Sequence, residues 1–224
     1  MMFSNMRWLR CKDEDDCSVR RTSTSLIIKP PGKRDYWMKT YYLPEIKKAD
    51  GPAFVSRIRP NERNTTTVDL EFKRRPGAQF DQGGLIVFIN KDCWLKTGIE
   101  YVDDVPRMSA VVTNFGWSDW STKKVASSNV RIRLSQCGNG SYVIESQSTS
   151  SDRDDLKAWD LVRICHLSAA LTADTVDVGI FACCPVANRE CDVIFKNYRR
   201  TKGVLFKHDA NDTEKKDEAP TSSG

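Results

Sequence analysis

The stretch WLKTGIEYVDDVPRMSAVVT, residues 94–113, decides the fold. With Asp103-Asp104 as the turn of an antiparallel hairpin, Val102 falls opposite Val105. Counting outward then sets Glu100 against Arg107, Gly98 against Ser109, Lys96 against Val111 and Trp94 against Thr113. Side chains alternate between faces along a strand, so the opposite face collects Tyr101, Ile99, Thr97 and Leu95 against Pro106, Met108, Ala110 and Val112. That face is nearly all apolar and the first is mixed, which is the signature of a sheet with one face on a core. Asp-Asp lacks the glycine that a two-residue turn favours, so a longer loop stays open and the alternation is the firmer inference.

Working outward, short runs rich in β-branched and aromatic residues recur between turn-forming clusters, with almost no helical periodicity. They cover Ala53–Ile58, Thr66–Phe72, Leu85–Ile89, Trp94–Val102, Arg107–Thr113, Val130–Leu134, Tyr142–Ser146, Leu161–His166, Val176–Ala182 and Asp192–Phe195. Such a series suits a two-sheet antiparallel β-sandwich. Asn139-Gly140, which tolerates the positive φ of a tight turn, joins two of the runs. Gln147 to Asp155 is Ser-, Thr- and Asp-rich and reads as a solvated loop. Residues 1–207 are read as one domain. Residues 208–224 are charged and then Ala-Pro-Thr-Ser-Ser-Gly, and read as a disordered tail.

Composition agrees with a packed interior: 39% of the 224 residues are hydrophobic and 29% charged. The 35 basic residues are nearly balanced by 30 acidic ones, a net charge of +5 that gives little support to nucleic-acid binding. The first ten residues, MMFSNMRWLR, lack the apolar core of a secretory signal, and no stretch reaches membrane-spanning length. A cytoplasmic location without membrane attachment is the expectation. Free thiols are then expected of the eight cysteines, and the three glycosylation sequons, at Asn64, Asn139 and Asn211, are expected to be chance matches.

No complete catalytic constellation stands out. Glycoside hydrolysis needs two carboxylates flanking the scissile bond. Glu100 and Asp103 differ by an odd number of positions and point to opposite faces, and Arg107 opposite Glu100 favours a surface ion pair. His166 adjoins Cys165 on a strand, which separates the two side chains, and His208 falls in the tail. Cys183-Cys184 with Cys191, and Cys11 with Cys17, lack the C-x-x-C pairing of a zinc site and read as buried thiols. No phosphate- or dinucleotide-binding glycine fingerprint occurs, so neither metal nor cofactor is expected.

Aromatic rings beside carboxylate, amide and ammonium groups are the informative class, because stacking plus directed hydrogen bonds is how proteins hold sugars. Asp81 and Gln82 at a strand entrance, Trp94, Lys96 and Glu100 along one strand, and Asn114, Asp119 and Trp120 beyond the next are the candidate ligand contacts. The alternative for each tryptophan is to fill the core or buttress a loop. Lys96 and Glu100 lie about 13 Å apart along a strand, suited to bracketing a ligand rather than pairing.

Several motifs in order carry a resemblance. Asp35-Tyr36-Trp37, Phe80-Asp81-Gln82-Gly83-Gly84-Leu85, Trp94 to Glu100, Val111-Val112-Thr113-Asn114, Ser118-Asp119-Trp120-Ser121 and Gly179 to Pro185 resemble the regulation-of-enolase protein family, over about Trp8 to Tyr198. The resemblance implies a concanavalin A-like lectin/glucanase jelly roll. It also implies either a non-catalytic carbohydrate-binding module or a regulator acting on a protein partner, enolase being the one suggested; a cryptic hydrolase ranks last. Cys183-Cys184-Pro185, where a small residue such as serine often precedes the proline, and the tail after Lys207 depart from the family pattern.

Overall fold

The computed structural model describes residues 3, 5–9, 17–73, 78–149, 158–186 and 191–207; the expected tail at 208–224 lies outside them. Strands β1 (Arg7–Leu9), β6 (Ala53–Ile58), β8 (Gln82–Asn90), β9 (Cys93–Val102), β10 (Val105–Asn114), β11 (Trp117–Lys124) and β15 (Val176–Cys183) build one seven-stranded sheet, ordered β1-β6-β15-β8-β9-β10-β11. Strands β2 (Ser18–Arg21), β3 (Ser25–Lys29), β7 (Asn64–Phe72), β12 (Val130–Gly138), β13 (Ser141–Ser148), β14 (Asp160–His166) and β16 (Val193–Lys202) build the second, ordered β14-β13-β12-β7-β16-β3-β2. Strands β4 (Tyr36–Met38) and β5 (Lys47–Ala49) pair separately, and one 3-10 turn spans Ser168–Leu171. Among the described residues no helix is long and apolar enough to cross a membrane. The architecture is the expected all-β, two-sheet antiparallel sandwich.

The β9–β10 register is the one read from residues 94–113, from Val102 opposite Val105 to Trp94 opposite Thr113. Asp103 and Asp104 both take positive φ, 52° and 60°, so the two-residue turn forms without glycine. Leu95, Ile99, Tyr101, Met108, Ala110 and Val112 enter the core between the sheets, meeting Leu26, Ile28, Val68, Leu70, Ile132, Leu134 and Phe195 from the second sheet.

The outer face of the first sheet differs from the sequence expectation of a polar, open surface. Trp94, Val111, Ile86, Phe88, Val55 and Phe181 form a second apolar cluster there, closed by Tyr36, Trp37 and Met38 of β4. The segment bearing β4 and β5 straps the sheet. Its Tyr36 hydroxyl donates to Gly51 O at 2.5 Å, and its Met38 N–H donates to Ser118 Oγ at 2.9 Å. Both faces of β8 and β9 are covered, so nearly every residue along them is buried, the polar Gln82, Lys96 and Glu100 included. The second sheet keeps a polar outer face with cross-strand ion pairs, Arg131 to Asp69 and Arg133 to Glu145.

Cys17 is disulfide-bonded, where free thiols were expected. The expectation rested on the redox compartment, which does not decide an individual pair. Cys93, Cys137, Cys165, Cys183, Cys184 and Cys191 are free.

Candidate functional site: an aromatic pocket over a buried polar floor

Where the strap leaves the outer face uncovered, the first sheet opens into a pocket of about 130 Å³. Gly84 and Gly98 stand opposite each other on β8 and β9, and a Cβ on Gly98 would lie 1.9 Å from Gly83 O, so no side chain fits there. On the floor of the pocket the Lys96 ammonium donates to Gln82 Oε1 at 2.7 Å and to Asp35 Oδ1 at 3.1 Å. The Gln82 amide in turn donates to Asp35 Oδ1 at 3.1 Å and to Glu100 Oε1 at 3.4 Å. Ser109 closes the set by donating to Glu100 Oε2 at 2.7 Å while accepting from Trp120 Nε1 at 2.8 Å.

The walls are aromatic. Trp37, Tyr42, Phe80 and Trp120 form a closed ring of edge-to-face contacts. The centroid separations are 5.7 Å for Trp37–Tyr42, 6.5 Å for Tyr42–Phe80, 6.4 Å for Phe80–Trp120 and 6.0 Å for Trp120–Trp37. Ile46, Lys48, Pro185 and Val186 complete the lining. The strap therefore supplies one side of the pocket and the hairpin strands the other.

Electrostatics follow from burial. Removal from water pushes the Glu100 carboxyl above its ordinary range; the Lys96 ammonium opposes this and the Asp35 carboxylate adds to it. Burial acts to lower Lys96, but Asp35 and Glu100 outweigh it, so the ammonium titrates above its usual value. Lys96 is thus held charged, and burial favours the protonated form of Glu100.

Of the sequence candidates, the fold brings Gln82, Lys96, Glu100 and Trp120 together here. Trp94 is wholly buried against Tyr36, with ring centroids 5.6 Å apart, so it is packing and not a ligand contact. Asn114 clamps the inter-sheet loop, donating to His166 O and accepting from Ser168 N, each at 2.9 Å. Asp119 points away from Trp120, its neighbour on β11, and pairs with Arg163 at 2.9 Å. Asp81 precedes Gln82 and turns to the other face, beside Cys184 and Cys191. Glu100 is in register with Arg107 but makes no ion pair with it among the described residues; the neighbours that stabilise it lie on β8 and β10, at Gln82 and Ser109. The other floor carboxylate, absent from the candidate ligand contacts, is Asp35. Trp37, Tyr42 and Phe80 were missed too; the Asp35-Tyr36-Trp37 motif was the available signal, without any indication of what it would face.

The sandwich has the fold class of lectin-like domains. Legume lectin-like domain from Entamoeba histolytica superposes with a TM-score of 0.56 at 10% identity, over 88% of this chain and 90% of that one. The GH43 protein BlXynB from Bacillus licheniformis gives 0.64 at 17% identity, over 88% of this chain but 37% of that one, so the similarity spans a minor part of the larger protein and concerns fold alone. Within that class the chain belongs to the family described as "Protein of unknown function (DUF1349)", whose model matches residues 13–202. Regulation of enolase protein 1 of Saccharomyces cerevisiae is 30% identical over 174 residues, 75% of this chain and 77% of that protein. A crystal structure of a functionally unknown protein from the same yeast superposes with a TM-score of 0.73 at 26% identity, covering 91% of this chain and all of the other.

Proposed function

We propose that the pocket binds a carbohydrate and that the protein works as a non-catalytic binding or regulatory module. The observation that carries this reading is the pairing of a four-membered aromatic ring with a floor of ammonium, amide and carboxyl groups. The ring faces suit the C–H faces of a pyranose, and the floor offers donors and acceptors for its hydroxyls. Two carboxyls, Asp35 and Glu100, are present, but each lies within 3.4 Å of the same Gln82 nitrogen. Both are taken up by the floor's own hydrogen bonds, Asp35 with Lys96 and Gln82 and Glu100 with Gln82 and Ser109, which favours holding a ligand over cleaving it. Thermal-shift and calorimetric titration against mono- and oligosaccharides test the reading. At least one sugar should raise the melting temperature, and silence across the panel at millimolar concentration rejects it.

A second reading, regulation through a protein partner, is favoured by the exposed Tyr41, Leu43, Phe115 and Trp117 and by the name of the yeast relative. Capture of enolase by the wild-type chain, lost on Phe115→Ser with Trp117→Ser, would support it; undiminished capture would move the interface elsewhere.

A further inference from the structure

Behind the pocket, on the core side of the first sheet, Asp81, Cys184 and Cys191 converge. A carboxylate oxygen and both Sγ atoms lie within 4.8 Å of one another, and all three residues are buried, at 1%, 0% and 1% exposure. They arrive from separate parts of the fold. Asp81 immediately precedes β8, Cys184 follows β15, and Cys191 leads into β16 of the opposite sheet.

We propose that Asp81, Cys184 and Cys191 form a binding site for a zinc-class divalent cation. Two thiolates and one carboxylate are a borderline-soft donor set, which selects zinc over magnesium or calcium. Zinc–sulfur bonds of about 2.3 Å at tetrahedral angles place two sulfurs roughly 3.8 Å apart, so ligand atoms already within 4.8 Å need to close by no more than about an ångström. Three protein ligands leave a fourth position for water. The thiols and the carboxyl reach the metal deprotonated, so loading releases protons.

The position gives the site a consequence. Gln82, next to Asp81, bridges the floor of the pocket, and Pro185 and Val186, next to Cys184, line its wall. A cation here ties the first sheet to the second and fixes both margins of the pocket at once. No local spacing announces it, because the ligands lie on different strands and the two cysteines are not a C-x-x-C pair.

The test uses the full chain with its Cys17 disulfide intact, treated with chelator and then titrated with Co²⁺ as a spectroscopic stand-in. One equivalent should bind, with a thiolate-to-cobalt charge-transfer band of two-sulfur intensity and the strong visible bands of tetrahedral cobalt. Zinc should then displace the colour and raise the melting temperature. Cys184→Ser with Cys191→Ser should abolish both, while Cys93→Ser, at another buried thiol, should retain them. The wild-type spectrum stands alone if the double variant fails to fold. A titration that leaves the chain colourless, a cobalt spectrum without thiolate charge transfer, a folded double variant that binds as wild type, or a Cys184–Cys191 disulfide in freshly alkylated protein would each overturn the site.

Discussion

The Lys96 ammonium donates to the Asp35 carboxylate across 3.1 Å, with only 3% of the lysine side chain exposed. Such a pair is costly to desolvate and costlier still to leave half made. Lys96→Met strands the Asp35 and Glu100 carboxyls under the pocket and should lower unfolding stability by about 3–5 kcal/mol in urea. Lys96→Met combined with Asp35→Asn should lose less than Lys96→Met alone, because the second change removes the stranded charge. Additive losses would mean that the two groups do not act as a pair.

Glu100 makes the opposite kind of prediction. Its carboxyl is raised in the folded protein by burial, so its ionisation opposes folding. The contribution from protonated Glu100 is fully present below the unfolded carboxyl pKa and is lost as pH rises through the elevated folded value. Glu100→Gln keeps a hydrogen-bonding side chain of similar shape and cannot ionise. Melting temperatures measured across pH should therefore match wild type at the acid end and gain on it as pH rises. A variant that falls further behind wild type with rising pH would show that Glu100 is stabilised as the carboxylate.

Trp120 and Asp119 are sequence neighbours with opposite fates, one on the pocket wall and the other paired with Arg163. Trp120→Ala should weaken sugar binding at least about tenfold, the loss of roughly 1.4 kcal/mol expected of one stacking ring. Asp119→Ala should leave affinity unchanged. Calorimetry on the two variants separates them, and equal losses would relocate the site to the β10–β11 edge.

Residues 94–113 carried the sandwich and its register because alternation acts locally: side chains two apart share a face wherever the strand runs. The same alternation misjudged what lies over the mixed face. Trp94 is covered by Tyr36 from the strap, a partner 58 positions away that no period can report. β11 escaped notice for a related reason. It is an edge strand with only Ser118 fully buried, so it lacks a run of apolar residues to reveal it. The pocket was half legible: Gln82, Lys96, Glu100 and Trp120 share one face across three strands, whereas Asp35, Trp37 and Tyr42 arrive from the strap and Phe80 from the loop ahead of β8.

The Asp103-Asp104 turn offers a last prediction. Both residues hold positive φ, which costs a non-glycine side chain free energy, yet they are not equivalent. Asp103 is held by Gln79, whose amide donates to its Oδ1 at 3.0 Å and accepts from its N–H at 2.8 Å. Replacing Asp103 would forfeit that side-chain contact along with the strain. Glycine is favoured at the second position of such a turn, so Asp104 at φ 60° is the position to change, and the resulting Asp-Gly is a favoured pair. Asp104→Gly should raise stability by about 0.5–1 kcal/mol in urea unfolding, whereas Asp103→Gly should give less or nothing. The gain is limited because glycine also loosens the unfolded chain, which offsets part of the relief. If Asp104→Gly destabilises the protein, the aspartate contributes more through its own interactions than the positive φ takes away.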